Sequence, residues 1–211
     1  MNIVLIGAGG FIGSGLRKEA LARGHRVTAL VTNPGKLEAA PNLTVAKVDV
    51  LDEAALGSQL NGHDAVISAF SGHAADDVRG YYGRGIRSII AVAKKAAKRL
   101  LVVGGAGSLE VAPGKQVVDD PQFPPAWKAS AEGARDALNL LRAEAELDWT
   151  MLSPSAVIAP GERTGKFRLG KDQLLVAANG KSEISVEDYA VAMIDELEKP
   201  AHRRQRFTVG Y

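Results

Sequence analysis

Short apolar runs alternate with amphipathic stretches along most of the chain. Six runs of β-branched and aliphatic residues are typical of strands that are buried on both faces of a parallel sheet. They span residues 3–6, 26–31, 43–48, 65–70, 100–103 and 149–152. Apolar residues recur at helical spacing between them, most clearly over 78–98 and 126–146. A last helix, from 185 or 186 to 198, and a last strand at 206–209 complete the pattern.

This alternation predicts an α/β fold with a Rossmann-like, doubly wound parallel sheet and helices on both faces. Because crossovers between parallel strands are right-handed, we expect the strand order 3-2-1-4-5-6. Residues 154–183 are irregular and polar, and should form a small C-terminal cap on the substrate side of the sheet. The sequence shows no repeat, low-complexity tract or linker, so we expect one domain over residues 1–211.

A glycine-rich turn connects the first predicted strand to the first predicted helix. Its glycines follow a G-x-x-G-x-x-G spacing. Backbone N–H groups at a helix start are unpaired and partly positive, and glycines let a pyrophosphate approach them. The turn therefore predicts a dinucleotide site with contacts from Gly7, Gly10, Phe11, Ile12 and Gly13. The alternative is a glycine-rich turn that binds no ligand.

Ligands of an open parallel sheet bind outside the carboxyl ends of its strands. The fourth predicted strand runs into small residues that leave room for a ribose and diphosphate. We expect cofactor contacts from Ser68, Ala69 and Phe70 there, and from Gly104 and Pro154 after the fifth and sixth strands. His73 follows in the next loop, where a general acid is conceivable and a solvated histidine is the favoured interpretation.

The end of the second predicted strand bears on the choice of cofactor. A carboxylate at this place binds the adenosine 2′-hydroxyl of NAD. No acidic residue lies between Val27 and Leu37, and Lys36 is placed to meet a 2′-phosphate. We expect Thr32, Asn33 and Lys36 to contact the cofactor, and we favour NADP(H) over NAD(H).

Several motifs resemble those of a known family. The glycine spacing is similar to that of short-chain dehydrogenases/reductases, especially extended and atypical members. The run Val-Val-Gly-Gly-Ala-Gly-Ser-Leu at 102–109 resembles the atypical NAD(P)H-binding group, which is NmrA-like and NAD-dependent epimerase/dehydratase-like. Further similar stretches cover 152–155, 161–165, 184–190 and 205–211. The resemblance spans the whole chain and implies the fold and the nucleotide, but no particular substrate.

The segment Asp49-Val-Leu-Asp52 resembles the D-hydrophobic-x-D element of this family. The resemblance implies that Asp49 bonds to the exocyclic amine of adenine and that Val50 packs on the adenine ring. For Asp52 we favour a different role, the N-cap of the following short helix.

Standard members of the resembled family transfer a proton with a tyrosine that is followed four residues later by a lysine. No tyrosine here has that lysine, and Trp127 and Ala131 stand at roughly the matching places. Three hypotheses remain: an NADPH-dependent reductase of a small organic substrate, which we favour; a non-catalytic NADP(H) sensor; and a sugar-nucleotide epimerase or dehydratase. The candidate catalytic residues, chosen by loop position alone, are Ser108, Lys128, Arg163 and Lys166.

Composition excludes several other classes of function. The chain has no cysteine, so it forms no disulfide and uses no thiolate. Its four histidines are scattered and predict no metal site, and a net charge of +2 gives no reason to expect nucleic acid or a membrane.

We expect a small-molecule substrate as partner, and a monomer or homodimer. The residues before the first apolar run are not basic and no apolar run is long enough for a membrane span, so we expect no signal peptide and a location in the cytoplasm.

Overall fold

The computed structural model describes residues 1–211 and contains one large sheet with helices on both faces. The strands are β1 (Asn2–Ile6), β2 (Arg26–Val31), β3 (Leu43–Lys47), β4 (Ala65–Ser68), β5 (Arg99–Val103), β6 (Glu110–Ala112), β7 (Lys115–Gln116), β8 (Trp149–Ser153), β9 (Val157–Ala159), β10 (Arg168–Gly170), β11 (Glu183–Ser185) and β12 (Gln205–Gly210). The helices are α1 (Phe11–Ala22), α2 (Glu53–Ser58), α3 (Val78–Lys95), α4 (Pro125–Ala143) and α5 (Val186–Glu198).

The eight strands of the main sheet lie in the order β3-β2-β1-β4-β5-β8-β12-β10. The first six are the predicted strands in their predicted order, so the predicted fold class is confirmed. The predicted last strand, β12, extends the sheet parallel to β8, and β10 closes the edge antiparallel to β12. The order reverses between β1 and β4, and ligands of such sheets bind at the carboxyl ends beside this reversal.

Hydrophobic side chains form one layer on each face of the sheet. Successive residues of a strand point to opposite faces, so β1 contributes to both layers. Val4 and Ile6 pack in the layer covered by α3 and α4, and Ile3 and Leu5 pack in the layer covered by α1 and α5. The continuous apolar runs of the sequence therefore reflect strands that are covered on both sides.

Residues 154–183 are more regular than the sequence predicts. β9 and β11 form a small parallel ladder, and β10 leaves the segment to pair with β12. A second small ladder joins β6 to β7. Strands of two or three residues are too short to show the alternation that identifies a strand in a sequence.

The ends of the helices depend on local backbone chemistry. α3 stops at Lys95, before the predicted end at 98, and Ala97 adopts a left-handed φ of 51° that a helix cannot continue. α4 stops at Ala143, before the predicted end at 146. The Asp52 carboxylate accepts the N–H of Ala55 at 2.9 Å, which confirms it as the N-cap of α2. None of the helices has the length and apolarity needed to cross a membrane.

Candidate functional site

The glycine turn packs tightly against the end of β4. Gly7 has a left-handed φ of 75°, and a Cβ there would lie 2.6 Å from the carbonyl oxygen of Ala69. A Cβ on Gly13 would lie 2.1 Å from the carbonyl oxygen of Gly7. No side chain fits at such distances, so both positions require glycine. The turn is thereby held at the carboxyl edge of the sheet.

The start of α1 is open to an anion. Gly10 occupies the N-cap position with extended backbone, and no side chain caps the helix. The N–H of Ser14 donates to the Gly10 carbonyl at 2.9 Å, so the N–H groups of Phe11, Ile12 and Gly13 precede the helical ladder. Such N–H groups, in a cradle without side chains, fit the pyrophosphate of a dinucleotide.

A cavity of about 520 Å³ extends from this turn along the carboxyl edge of the sheet. Its lining combines residues 10–13 with the segments after three strands, 69–73, 103–107 and 154–156. Another part of its wall comes from α4 and the residues before it, including Val117, Phe123, Trp127, Ala131 and Ala134. Its size is that of an ordinary small-molecule site.

Most of the predicted cofactor residues meet at this cavity. Those that line it are Gly10, Phe11, Ile12, Gly13, Ala69, Phe70, Gly104 and Pro154. Gly7 lies behind them, against Ala69. Ser68 is fully buried in β4, and its hydroxyl accepts the N–H of Phe70 at 3.4 Å. Ser68 therefore shapes the loop that borders the cavity.

Thr32, Asn33 and Lys36 lie together beyond the end of β2, outside the cavity lining. All three are exposed, and Lys36 ends the short 3₁₀ turn that starts at Pro34. In sheets of this type the adenosine ribose lies at the end of the second strand. The three side chains are thus accessible at the expected place.

The two residues expected at the adenine ring differ in exposure. The Asp49 carboxylate is exposed and accepts the N–H of Leu51 at 2.9 Å. The Val50 side chain belongs to the hydrophobic layer beneath α3, and its carbonyl oxygen accepts the Ser88 hydroxyl. Val50 therefore offers little surface to a ligand, because its side chain already packs in the core.

The four candidate catalytic residues do not come together, and none of them lines the cavity. Ser108 is buried, where its hydroxyl accepts a hydrogen bond from Arg206 at 3.3 Å. Arg163 donates twice to the Glu19 carboxylate, both at 2.8 Å. Lys128 and Lys166 are exposed. Two of these side chains thus bond to partners elsewhere in the fold, and the other two face solvent.

Sequence reasoning missed the apolar wall that α4 contributes. Trp127, Ala131 and Ala134 lie on one helical face by their spacing, and this face borders the cavity. The same spacing is normal for an amphipathic helix that packs on a core. The available signal in the sequence was a tryptophan two residues after Pro125, at the start of the predicted helix.

Two titratable side chains line the cavity, His73 and Tyr82. His73 is exposed in the loop after β4. Tyr82 is buried on α3 and its ring stacks on Phe70, with centroids 5.9 Å apart. Burial raises the pKa of Tyr82 well above its usual range, so its phenol stays protonated at neutral pH.

Residues 7–200 match a family model described as NAD(P)H-binding. The uncharacterized protein YwnB of Bacillus subtilis (strain 168) is 41% identical in an alignment of 213 positions that covers 99% of this chain and 98% of that protein. A solved structure named "putative epimerase" from Bacteroides thetaiotaomicron is 46% identical with a TM-score of 0.93, over 100% of this chain and 96% of that one. A "putative NADH-flavin reductase" from Streptococcus pneumoniae TIGR4 is 35% identical with a TM-score of 0.89, over 100% and 99%.

These matches agree with the geometry of the site. A glycine turn shaped for a pyrophosphate stands at the strand reversal of a Rossmann-like sheet, as the predicted resemblance to atypical short-chain reductases implies. The prediction of the family is confirmed: the chain belongs to the NAD(P)H-binding family.

Proposed function

We propose that this protein is an NADPH-dependent reductase of a small organic substrate. The observation that carries the proposal is the single cavity that joins the open start of α1 to an apolar chamber beside α4. The glycine turn would hold the pyrophosphate, and Gly104 and Pro154 would border the nicotinamide. The part of the cavity beside α4 then remains for a substrate.

The chain's own groups bind and orient the reactants in this proposal. When bound, the dihydronicotinamide supplies a hydride, and water supplies the proton that completes the reduction. The loops after β4, β5 and β8 border the same cavity and hold the two reactants next to each other. Such orientation is a large source of rate enhancement even without an acid on the protein.

The cavity wall favours an acceptor that needs no strong acid. Its lining contains no Asp, Glu, Lys or Arg, and the phenol of Tyr82 holds its proton tightly. Flavins and quinones suit such a site, because they take up a proton from solvent on exposed ring atoms. The name of the 35% identical Streptococcus pneumoniae protein supports this class of acceptor.

The preference for NADPH rests on charge at the end of β2. Thr32, Asn33 and Lys36 are exposed there, and Lys36 carries a positive charge without an ion-pair partner. A 2′-phosphate meets an attraction at Lys36, and no carboxylate between Val27 and Leu37 repels it.

A screen of cofactor oxidation tests the proposed function. The purified protein is given NADPH or NADH with flavins, quinones, aldehydes or tetrapyrroles, and the loss of reduced cofactor is followed by absorbance. We expect turnover with flavins or quinones and a higher kcat/KM for NADPH than for NADH. Equal or better use of NADH would contradict the assigned cofactor preference.

A second function has one specific observation in its favour. The absence of charged side chains and of a tyrosine–lysine pair from the cavity suits a non-catalytic NADP(H) sensor. Micromolar binding of NADPH, together with no oxidation by any class of acceptor, would reject the reductase and leave the sensor.

A further inference from the structure

The two tryptophans of the chain have opposite surroundings. Trp149 lies in the core and is 2% exposed, whereas Trp127 is 62% exposed at the edge of the cavity. An indole ring buries more apolar area than most side chains when it finds a partner. Most of the apolar surface of the Trp127 ring is therefore not covered by the protein, and a ligand in the cavity could pack against it.

The position of Trp127 is fixed by the start of α4. Pro124 and Pro125 precede it, and both have the restricted backbone of proline. The N–H of Trp127 donates to the carbonyl of Pro124 at 3.1 Å. The ring thus projects from a rigid first helical turn, which lowers the entropy that a ligand contact would cost.

Small residues form the floor next to this ring. Ala131 and Ala134 follow Trp127 on the same face of α4 and also line the cavity. The loop after β5 touches them closely: a Cβ on Gly107 would lie 2.8 Å from Ala131 Cβ, and one on Gly105 would lie 3.0 Å from Ala134 Cβ. Backbone and methyl groups therefore form the cavity wall next to Trp127, and this part of the wall carries no charged group.

We infer that Trp127 and Phe123 form the subsite for the electron acceptor, in which Trp127 stacks on the face of a planar conjugated ring. Phe123 lines the same wall directly before α4. Offset stacking needs a flat partner, and the uncharged lining needs a ring that carries no charge of its own. A neutral isoalloxazine or quinone ring meets both requirements. This inference rests on the proposed reductase function and assigns the residue that selects its substrate.

Tryptophan fluorescence tests the stacking without any turnover. The protein is saturated with NADP⁺, which donates no hydride, and is titrated with riboflavin or menadione. The contribution of Trp127 is the emission lost in Trp127→Phe, since Trp149 remains in both proteins. We expect the Trp127 emission to be quenched at saturation, and cyclohexanone, which is not a planar conjugated ring, to quench it far less.

Steady-state kinetics provide the second readout. Trp127→Ala should raise the KM for riboflavin or menadione about tenfold or more, while the affinity for NADPH changes less than twofold. Trp127→Phe should restore most of the lost affinity because it keeps an aromatic face. Asn139→Ala, an exposed residue farther along α4, is the matched control.

The outcomes separate this inference from the proposed function. Quenching without turnover would support the subsite and reject the reductase. Turnover with an unchanged KM in Trp127→Ala would support the reductase and overturn the subsite. An equal loss in Trp127→Ala and Trp127→Phe would also overturn stacking, since the phenyl ring keeps a flat face. No quenching of Trp127 at saturating riboflavin and menadione would reject the subsite directly.

Discussion

The two ends of the parallel sheet are built from different chemical groups. The cavity at the carboxyl end is lined mostly by glycines, other small residues and apolar side chains, and no Asp, Glu, Lys or Arg is among them. At the amino end, charged side chains bond to one another. Arg99 donates to the Glu196 carboxylate at 2.6 Å, and the ring Nδ1 of His202 lies 2.8 Å from the other carboxylate oxygen.

At the amino end the polar groups bond to other groups of the protein, whereas at the carboxyl end backbone N–H groups are left without a partner in the protein. Glu196 also accepts the N–H groups of Ala201 and His202, so its buried carboxylate is fully used. Burial raises the pKa of Glu196, but hydrogen bonds from His202 and Ala201 and the charge of Arg99 outweigh this, and its net pKa is lowered. At the carboxyl end, the N–H groups ahead of α1 remain free to bind a ligand. Stability and binding should therefore respond to separate mutations.

Removal of the charge at the amino end should have the largest effect on stability. Glu196→Gln leaves the largely buried Arg99 guanidinium without its main counter-charge, and we expect the free energy of unfolding to fall by about 3 kcal/mol. Denaturant unfolding measures this loss, with the exposed Glu53→Gln as a control. The affinity for NADPH should stay within twofold. A parallel loss of NADPH affinity at permissive temperature would show that the two ends are coupled.

A carboxylate at the carboxyl end should affect binding alone. In Gly10→Asp the new side chain would cap α1, which favours the helix, and would place negative charge at the phosphate site. We expect the affinity for NADPH to fall at least a hundredfold by calorimetry, with an unchanged or raised melting temperature. The asparagine of Gly10→Asn has nearly the shape of aspartate without its charge, so this variant should lose at least tenfold less NADPH affinity than Gly10→Asp.

Gly10 is the right position for this test, because a Cβ there would meet one backbone oxygen at 3.3 Å. Substitutions at Gly7 or Gly13 would clash with backbone and disturb the turn itself. If folded Gly10→Asp bound NADPH like the unmodified protein, the phosphate site would lie elsewhere.

A smaller effect on cofactor binding is expected at the end of β2, where we propose that the adenosine ribose binds. Thr32→Asp adds the carboxylate that binds a 2′-hydroxyl and repels a 2′-phosphate. The ratio of NADPH to NADH affinity should fall about tenfold, and Thr32→Asn should leave it nearly unchanged. If Thr32→Asp left the ratio of NADPH to NADH affinity unaltered, the residues after β2 would not belong to the cofactor site.

The smallest effect is expected at the buried phenol of the cavity. Tyr82→Phe removes a hydroxyl whose raised pKa keeps it protonated, and turnover should change less than about tenfold, below the usual contribution of a general acid. Tyr81→Phe, on the same helix, is the control for packing. A hundredfold loss of kcat in Tyr82→Phe alone, with NADPH affinity retained, would identify Tyr82 as the proton donor.

The sequence predicts the geometry of the glycine turn better than that of the chamber beside α4, because the turn is local in the sequence and the chamber is not. The strand, the glycine turn and the start of α1 are continuous in residues 2–13, so their spacing carries the geometry. The chamber beside α4 combines residues around 104, 127 and 154, which only the folded sheet brings together. The order of the first six strands was predictable because crossover handedness leaves few arrangements.

The partners of polar loop residues are also hard to predict from the sequence. Ser108 and Arg163 were reasonable candidates for chemistry, but each bonds to a distant partner. Arg206 lies 98 residues from Ser108, and Glu19 lies 144 residues from Arg163. Nothing in a local pattern reveals such a partner, so a polar residue in a loop cannot be assigned to a site from its neighbours in the sequence.

The edge of the sheet has a consequence for the order in which the chain folds. β10 joins the main sheet only through β12, although β12 is made later during synthesis. Residues 168–170 can therefore join the main sheet only after residues 208–210 have joined it, whereas the first six strands pair without either segment. In a pulsed hydrogen-exchange experiment during refolding, the amides of β10 should gain protection after those of β1 and β4.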